Sequence, residues 1–91
     1  MGFTLYHTGM LPGLPAKLVF EQDGIAIGDL LQLLSNRYGE GVVRDVLDQE
    51  GQIAEGALVV LNGSIIRPHQ ALSTLIPPRS ELLLTVLIAG G

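Results

Sequence analysis

The chain has 91 residues, a net charge of −4 at pH 7 and an isoelectric point near 4.8; 47% of residues are hydrophobic and 15% charged, for a mean hydropathy of +0.44. That length suits one domain able to bury a core unaided, and the absence of cysteine excludes disulfides, thiolate metal sites and a cysteine nucleophile. The acidic balance, with Lys17, Arg37, Arg44, Arg67 and Arg79 scattered, offers no basic face to a nucleic-acid backbone.

Phe3–His7 reads as a short strand in which Phe3 and Leu5 alternate with Thr4 and Tyr6. Two prolines and two glycines make Thr8–Pro15 a loop, and Ala16–Gln22 resumes as a strand closed by Asp23-Gly24, so a hairpin is expected. Ile27, Leu30, Leu31, Leu34 and Tyr38 then fall on one helical stripe, opposite Gln32, Ser35, Asn36 and Arg37. Gly39 is a suitable stop for that helix, Asp29 favours its first turn and Gly28 weakens its start. Gly41–Gln49 is expected to form a second, shorter helix with Val42, Val43, Val46 and Leu47 inward, followed by a polar loop to Gly56.

Ala57–Leu61 is a continuous apolar run, as in a strand covered on both faces. Asn62-Gly63 signals a type I′ hairpin returning through Ser64–Arg67. Pro68–Ser80 reads as irregular, with Leu72, Leu75 and Ile76 plugging the core, and Glu81–Ile88 as a nearly all-aliphatic last strand. The expected fold is α+β: a mixed sheet of four to five strands packed on one main helix. The domain is placed at residues 1–86, with residues 87–91 as a flexible C-terminal tail ending Ala89-Gly90-Gly91.

Candidates for chemistry within the body are few. His7 and His69 have no acidic partner at metal-ligand spacing and read as surface or loop histidines; no metal site is expected. Gly24, Gly28, Gly39 and Gly41 are turn residues that form no phosphate loop. Ser35, Ser64, Ser73 and Ser80 lack the context of a nucleophile. No apolar run approaches the ~20 residues of a membrane span, and Met1–Tyr6 lacks the segments of a secretory signal, so a cytoplasmic location is expected. The hydrophobic fraction is high for so small a domain, and part of it is expected to face a partner. The barely alternating last strand directs that expectation to Val59, Leu61, Leu84 and Val86 on the sheet, with Leu87, Ile88 and Ala89 at the base of the tail. The tail itself suits threading. Without Cβ, Gly90 and Gly91 pass a constriction and take either sign of φ, and five residues reach at most about 17 Å.

In their order and spacing, several of these segments resemble one family. Ile27-Gly28-Asp29-Leu30-Leu31-Gln32-Leu33-Leu34 and Arg37-Tyr38-Gly39 are similar to the first helix and its ending in the ubiquitin-like β-grasp sulfur carriers of the MoaD/ThiS family. Leu58-Val59-Val60-Leu61-Asn62-Gly63 resembles the family hairpin, and Leu82–Gly91 its last strand and Ala-Gly-Gly terminus; the likeness is greatest to the small subunit of molybdopterin synthase. It covers residues 25–91 well and the first 24 in outline. Pro78-Arg79-Ser80-Glu81 stands where relatives carry an acidic Gly-Asp-Glu turn.

The resemblance implies a carrier protein rather than an enzyme, with no bound cofactor and all catalytic groups on its partners. An E1-like adenylating enzyme would use ATP to convert the Gly91 carboxylate into an acyl-adenylate, with Gly90 beside it. A sulfur donor protein would displace AMP to leave a thiocarboxylate. The large subunit of molybdopterin synthase, or an equivalent acceptor enzyme, would then take the sulfur. Thiamin-type or other biosynthetic sulfur transfer is the alternative, as is a ubiquitin-like modifier joined to protein lysines; a binding module with an inert tail is the least favoured reading.

Overall fold

A computed structural model describes residues 1–86, and in it the period-two pattern at the N-terminus becomes β1 (Phe3–His7). After it come β2 (Lys17–Phe20), α1 (Ile27–Tyr38), β3 (Ala57–Leu61), β4 (Ser64–Ile66), a one-turn α2 (Pro68–Ala71) and β5 (Ser80–Val86). The five strands form one sheet in the order β2-β1-β5-β3-β4. β1 and β5 run parallel at its centre, and the β1–β2, β3–β5 and β3–β4 pairs are antiparallel. This is the ubiquitin-like β-grasp arrangement, with α1 lying across one face.

Apolar spacing decides how the layers meet. Ile27, Leu30, Leu31 and Leu34 are buried on one side of α1, and they share a single core with Phe3 and Leu5 of β1, Val59 of β3, and Leu82 and Leu84 of β5. Tyr38, the expected end of the stripe, is half exposed. The helix has no side-chain N-cap, since Ala26 occupies that position. Instead its first amides are satisfied from outside: Ile27 N–H donates to Thr74 O and Gly28 N–H to Leu72 O, each at 2.9 Å. That contact explains Gly28, because a Cβ there would meet Leu72 O at 2.9 Å. The residue that weakens the helix start in isolation allows the 72–74 segment to dock on it.

Three expectations are corrected. Gly41–Gln49 is not an α-helix: a 3-10 turn covers Glu40–Val43, and irregular turns follow it. Val42 N–H donates to Gly39 O and Val46 N–H to Val43 O, the i→i−3 pattern, though Val42, Val43 and Val46 are buried as expected. Two adjacent β-branched valines beside Gly41 disfavour a longer α-helix. Pro68–Ala71 is a short helix rather than irregular chain, opened by proline at a first-turn position that needs no N–H. Leu75 does not plug the core. Its backbone bridges Ala26 while its side chain is exposed, and Ile76 is the residue buried there.

The Asn62-Gly63 turn takes positive φ at both positions, 50° and 83°, as a type I′ hairpin requires. Asn62 also clamps the next strand: its Oδ1 accepts from Glu81 N–H at 2.9 Å, and its Nδ2 donates to Ser80 Oγ at 3.1 Å. On the other flank of the same start of β5, Gly2 is held by three elements. Its N–H donates to Asp23 Oδ1 at 2.7 Å, its carbonyl accepts from Arg79 N–H, and a Cβ at its φ of 81° would lie 1.9 Å from Phe20 O. Gly2→Ala is therefore expected to destabilise the fold by about 1–3 kcal/mol, through the strained φ and the collision with backbone. Chemical denaturation measures it; a midpoint equal to the parent's would refute the assigned contact.

Candidate functional site

The expected reactive segment, Leu87, Ile88, Ala89, Gly90 and Gly91, lies outside the described residues; the structure shows its root. β5 is the middle strand of the sheet, and its last pairing sets Val86 opposite Ala57. On its other side Thr8 N–H donates to Leu84 O at 3.2 Å, and the hydroxyls of Thr8 and Thr85 lie 2.7 Å apart. The segment is therefore preceded by the middle strand of the sheet, held on both flanks to within one or two residues of Val86.

The two faces of that strand differ. Ser80, Leu82 and Leu84 point to the core, whereas Glu81, Leu83 and Thr85 point away from α1. This corrects part of the expected docking set. Val59 and Leu84 are 2% and 1% exposed and pack in the core, and half-buried Leu61 packs against it, so these three cannot meet a partner on the outer face. Val86 is exposed at the end of the sheet.

The outer face carries different residues. Register pairs Lys17 with Tyr6, Tyr6 with Leu83, Leu83 with Val60 and Val60 with Ile65. Lys17–Tyr6–Leu83–Val60–Ile65 is thus one cross-strand row spanning all five strands. Ile65 is 66% exposed, Tyr6, Val60 and Leu83 are half-buried, and a shallow depression lies among Tyr6, Val60, Gly63, Glu81 and Leu83. Leu58, next along β3 and paired with Thr85, extends the apolar area toward the root of the tail. Four apolar or aromatic side chains in register, with no covering element among the described residues, make a surface able to desolvate against another protein. A signal for this was in the sequence. Glu81 and Thr85 are polar residues of the last strand, and period two puts Leu83 on their side; the two-residue turn then fixes Val60 opposite Ile65.

His7 is not a surface histidine. It is 6% exposed at the end of β1, where the alternation of Phe3 and Leu5 carries it inward. Leu11 N–H donates to its Nδ1 at 3.3 Å, and its Nε2–H donates to Pro15 O at 2.7 Å, so the proton sits on Nε2. One side chain thereby ties both halves of the Thr8–Pro15 loop, whose Met10 and Leu11 are buried, beside the root of the tail. Among the described residues no group of three His, Cys, Asp or Glu side chains is placed to hold a metal ion. No buried side-chain nitrogen or oxygen among them lacks a partner. No helix among them is long and apolar enough to cross a membrane.

No protein-family model matches the chain, and no curated protein matches it significantly in sequence. Solved structures do match in fold. SAMP1 from Haloferax volcanii superposes with a TM-score of 0.71 at 20% identity, covering 100% of both chains. The HVO 2177 protein of the same organism gives 0.73 at 19% identity, over 100% of this chain and 87% of that one. Urm1 from Trypanosoma brucei gives 0.71 at 20% identity, over 99% and 95%. These likenesses show that the small ubiquitin-like β-grasp fold is shared essentially end to end.

Proposed function

We propose that this chain is a ubiquitin-like sulfur carrier whose reacting group is the carboxylate of Gly91, serving cofactor biosynthesis and most specifically that of molybdopterin. The observation that carries the reading is the end-to-end β-grasp likeness to SAMP1 and Urm1, with the central strand β5 leading straight into Leu87–Gly91. A carboxylate oxygen of Gly91 attacks the α-phosphate of ATP, pyrophosphate leaves, and an acyl-adenylate forms. A sulfur nucleophile at the sulfide level, brought by the donor protein, attacks the acyl carbon; AMP leaves, and the thiocarboxylate remains. Nothing in this sequence of steps needs a catalytic side chain on the carrier.

The carrier's own contributions are reach and grip. β5, paired with β3 through Val86 and with β1 through Leu84, fixes the origin of the five-residue tail. That tail extends at most about 17 Å into a neighbour. The Tyr6–Leu83–Val60–Ile65 row gives the E1-like activating enzyme and the acceptor enzyme a common apolar surface on which to seat the body. A cytoplasmic location accords with the ATP and reduced sulfur that the chemistry consumes. The test is intact-mass analysis after incubation with a panel of E1-like adenylating enzymes, ATP and sulfide. Exchange of one oxygen for sulfur, mapped to Gly91, is the expected result; an unchanged mass with all of them would overturn the reading.

A further inference from the structure

The 91 residues contain a single lysine, Lys17, and their other four basic side chains are Arg37, Arg44, Arg67 and Arg79. Guanidinium groups stay protonated and do not accept acyl groups at neutral pH. Lys17 is therefore the one side-chain amine able to attack an activated carbonyl. It is exposed, it opens the edge strand β2, and it forms the open end of the outer-face row next to Tyr6. A lysine there also guards a sheet edge against pairing with other strands, a role that needs its charge and not its nucleophilicity.

We propose that Lys17 is the acceptor through which copies of this chain become joined, the activated Gly91 of one copy acylating Nζ of Lys17 of a second. This rests on the reading that Gly91 is adenylated. Neutral Nζ attacks the carbonyl carbon of the acyl-adenylate and a C–N bond forms. The C–O bond to AMP breaks with its electron pair, and the proton of Nζ passes to solvent. ATP, consumed in making the adenylate, is the co-reactant, and no oxidant or reductant is needed.

The register favours a second copy over the chain's own Lys17. The Lys17 row crosses β5 at Leu83, and β5 continues three residues past it to Val86, about 10 Å further and heading away. Closing onto the same molecule requires a reversal within five residues, whereas a second copy requires none. With one activated carbonyl and one side-chain amine per copy, joining through Lys17 gives an unbranched oligomer with a single linkage type. It competes with sulfur loading, so it forms when the sulfur donor is scarce.

The experiment uses the full chain with ATP and an E1-like adenylating enzyme, with no sulfur source, and follows ATP–pyrophosphate exchange beside denaturing electrophoresis. The expected result is a ladder of covalent oligomers. After trypsin it should contain a branched peptide in which Ser80–Gly91 is attached to Lys17. Lys17→Arg, which keeps the edge charge, should abolish the ladder and leave exchange unchanged. Exchange without a ladder overturns this inference alone, as does a ladder that survives in Lys17→Arg or a linkage mapped to the α-amine. Absence of exchange with every adenylating enzyme overturns the activation of Gly91 and this inference with it.

Discussion

Deletion of Gly90 and Gly91 should abolish ATP-dependent thiocarboxylate formation while leaving the thermal midpoint of the body unchanged. The two halves of that expectation come from different parts of the molecule. Among the described residues the core lies within Phe3–Leu84, and β5 pairs with β1 through Leu84 and with β3 through Val86. Two glycines carry no side chain to bury, so removing them leaves the described core and strand pairs untouched. The chemistry loses its substrate atom, because a chain ending at Ala89 presents its carboxylate two residues, roughly 7 Å, short of where Gly91 would place it. Gly91→Ala is the finer probe. It keeps the length and the carboxylate but adds a Cβ beside the atom that the proposed activating enzyme must position. Misplacing a reacting group by about 1 Å can cost about a hundredfold, so a decrease of that order in the rate of pyrophosphate exchange is expected, again with an unchanged midpoint. Equal loading of the truncated and parent chains would remove Gly91 from the mechanism.

Much of the fold was legible because its strongest signals are local. The α1 stripe of Ile27, Leu30, Leu31 and Leu34 repeats at a helical period, and all four are buried. Asn62-Gly63 encodes its own turn, since few other pairs tolerate positive φ twice. What could not be read locally was set by contacts distant in sequence. Gly28 looked like a poor helix former until Leu72 O was seen against it. Arg79 takes a φ of 62°, a value suited to glycine, at the point where its N–H meets Gly2 O. The 3-10 turn at Glu40–Val43 and the one-turn α2 are both shorter than a periodic pattern can resolve.

The docking face shows why parity is hard to read in an aliphatic run. Leu82-Leu83-Leu84 and Leu58-Val59-Val60-Leu61 contain no polar residue of their own, so the outer side is marked only by flanking Glu81 and Thr85. A shift of one residue exchanges every inward and outward side chain. Val59 and Leu84 pair across β3 and β5, but the pair lies in the core beneath α1. Their neighbours Val60 and Leu83 pair in the same way on the opposite face.

Adjacent substitutions in β5 should accordingly fail in opposite ways. Leu84→Glu places a carboxylate in the core between Val59 and His7, whose two ring nitrogens are already engaged by Leu11 N–H and Pro15 O. Loss of a buried leucine alone costs about 2–5 kcal/mol, and an unpartnered polar group adds several more. A domain of this length has roughly 5–14 kcal/mol of stability in all, so Leu84→Glu should be largely unfolded by circular dichroism at 25 °C. Leu83→Glu points its carboxylate into solvent from a half-buried position at the centre of the Tyr6–Leu83–Val60–Ile65 row. It should fold, with a modestly lowered midpoint, and lose affinity for the activating enzyme. A central apolar contact in an interface is worth about 2 kcal/mol, or roughly thirtyfold in Kd. Because the tail is untouched, the loss should appear in the KM for the carrier during pyrophosphate exchange rather than in kcat. A Leu83→Glu chain that binds as tightly as the parent would take the outer face out of partner recognition. A folded Leu84→Glu chain would contradict the register of β5 itself.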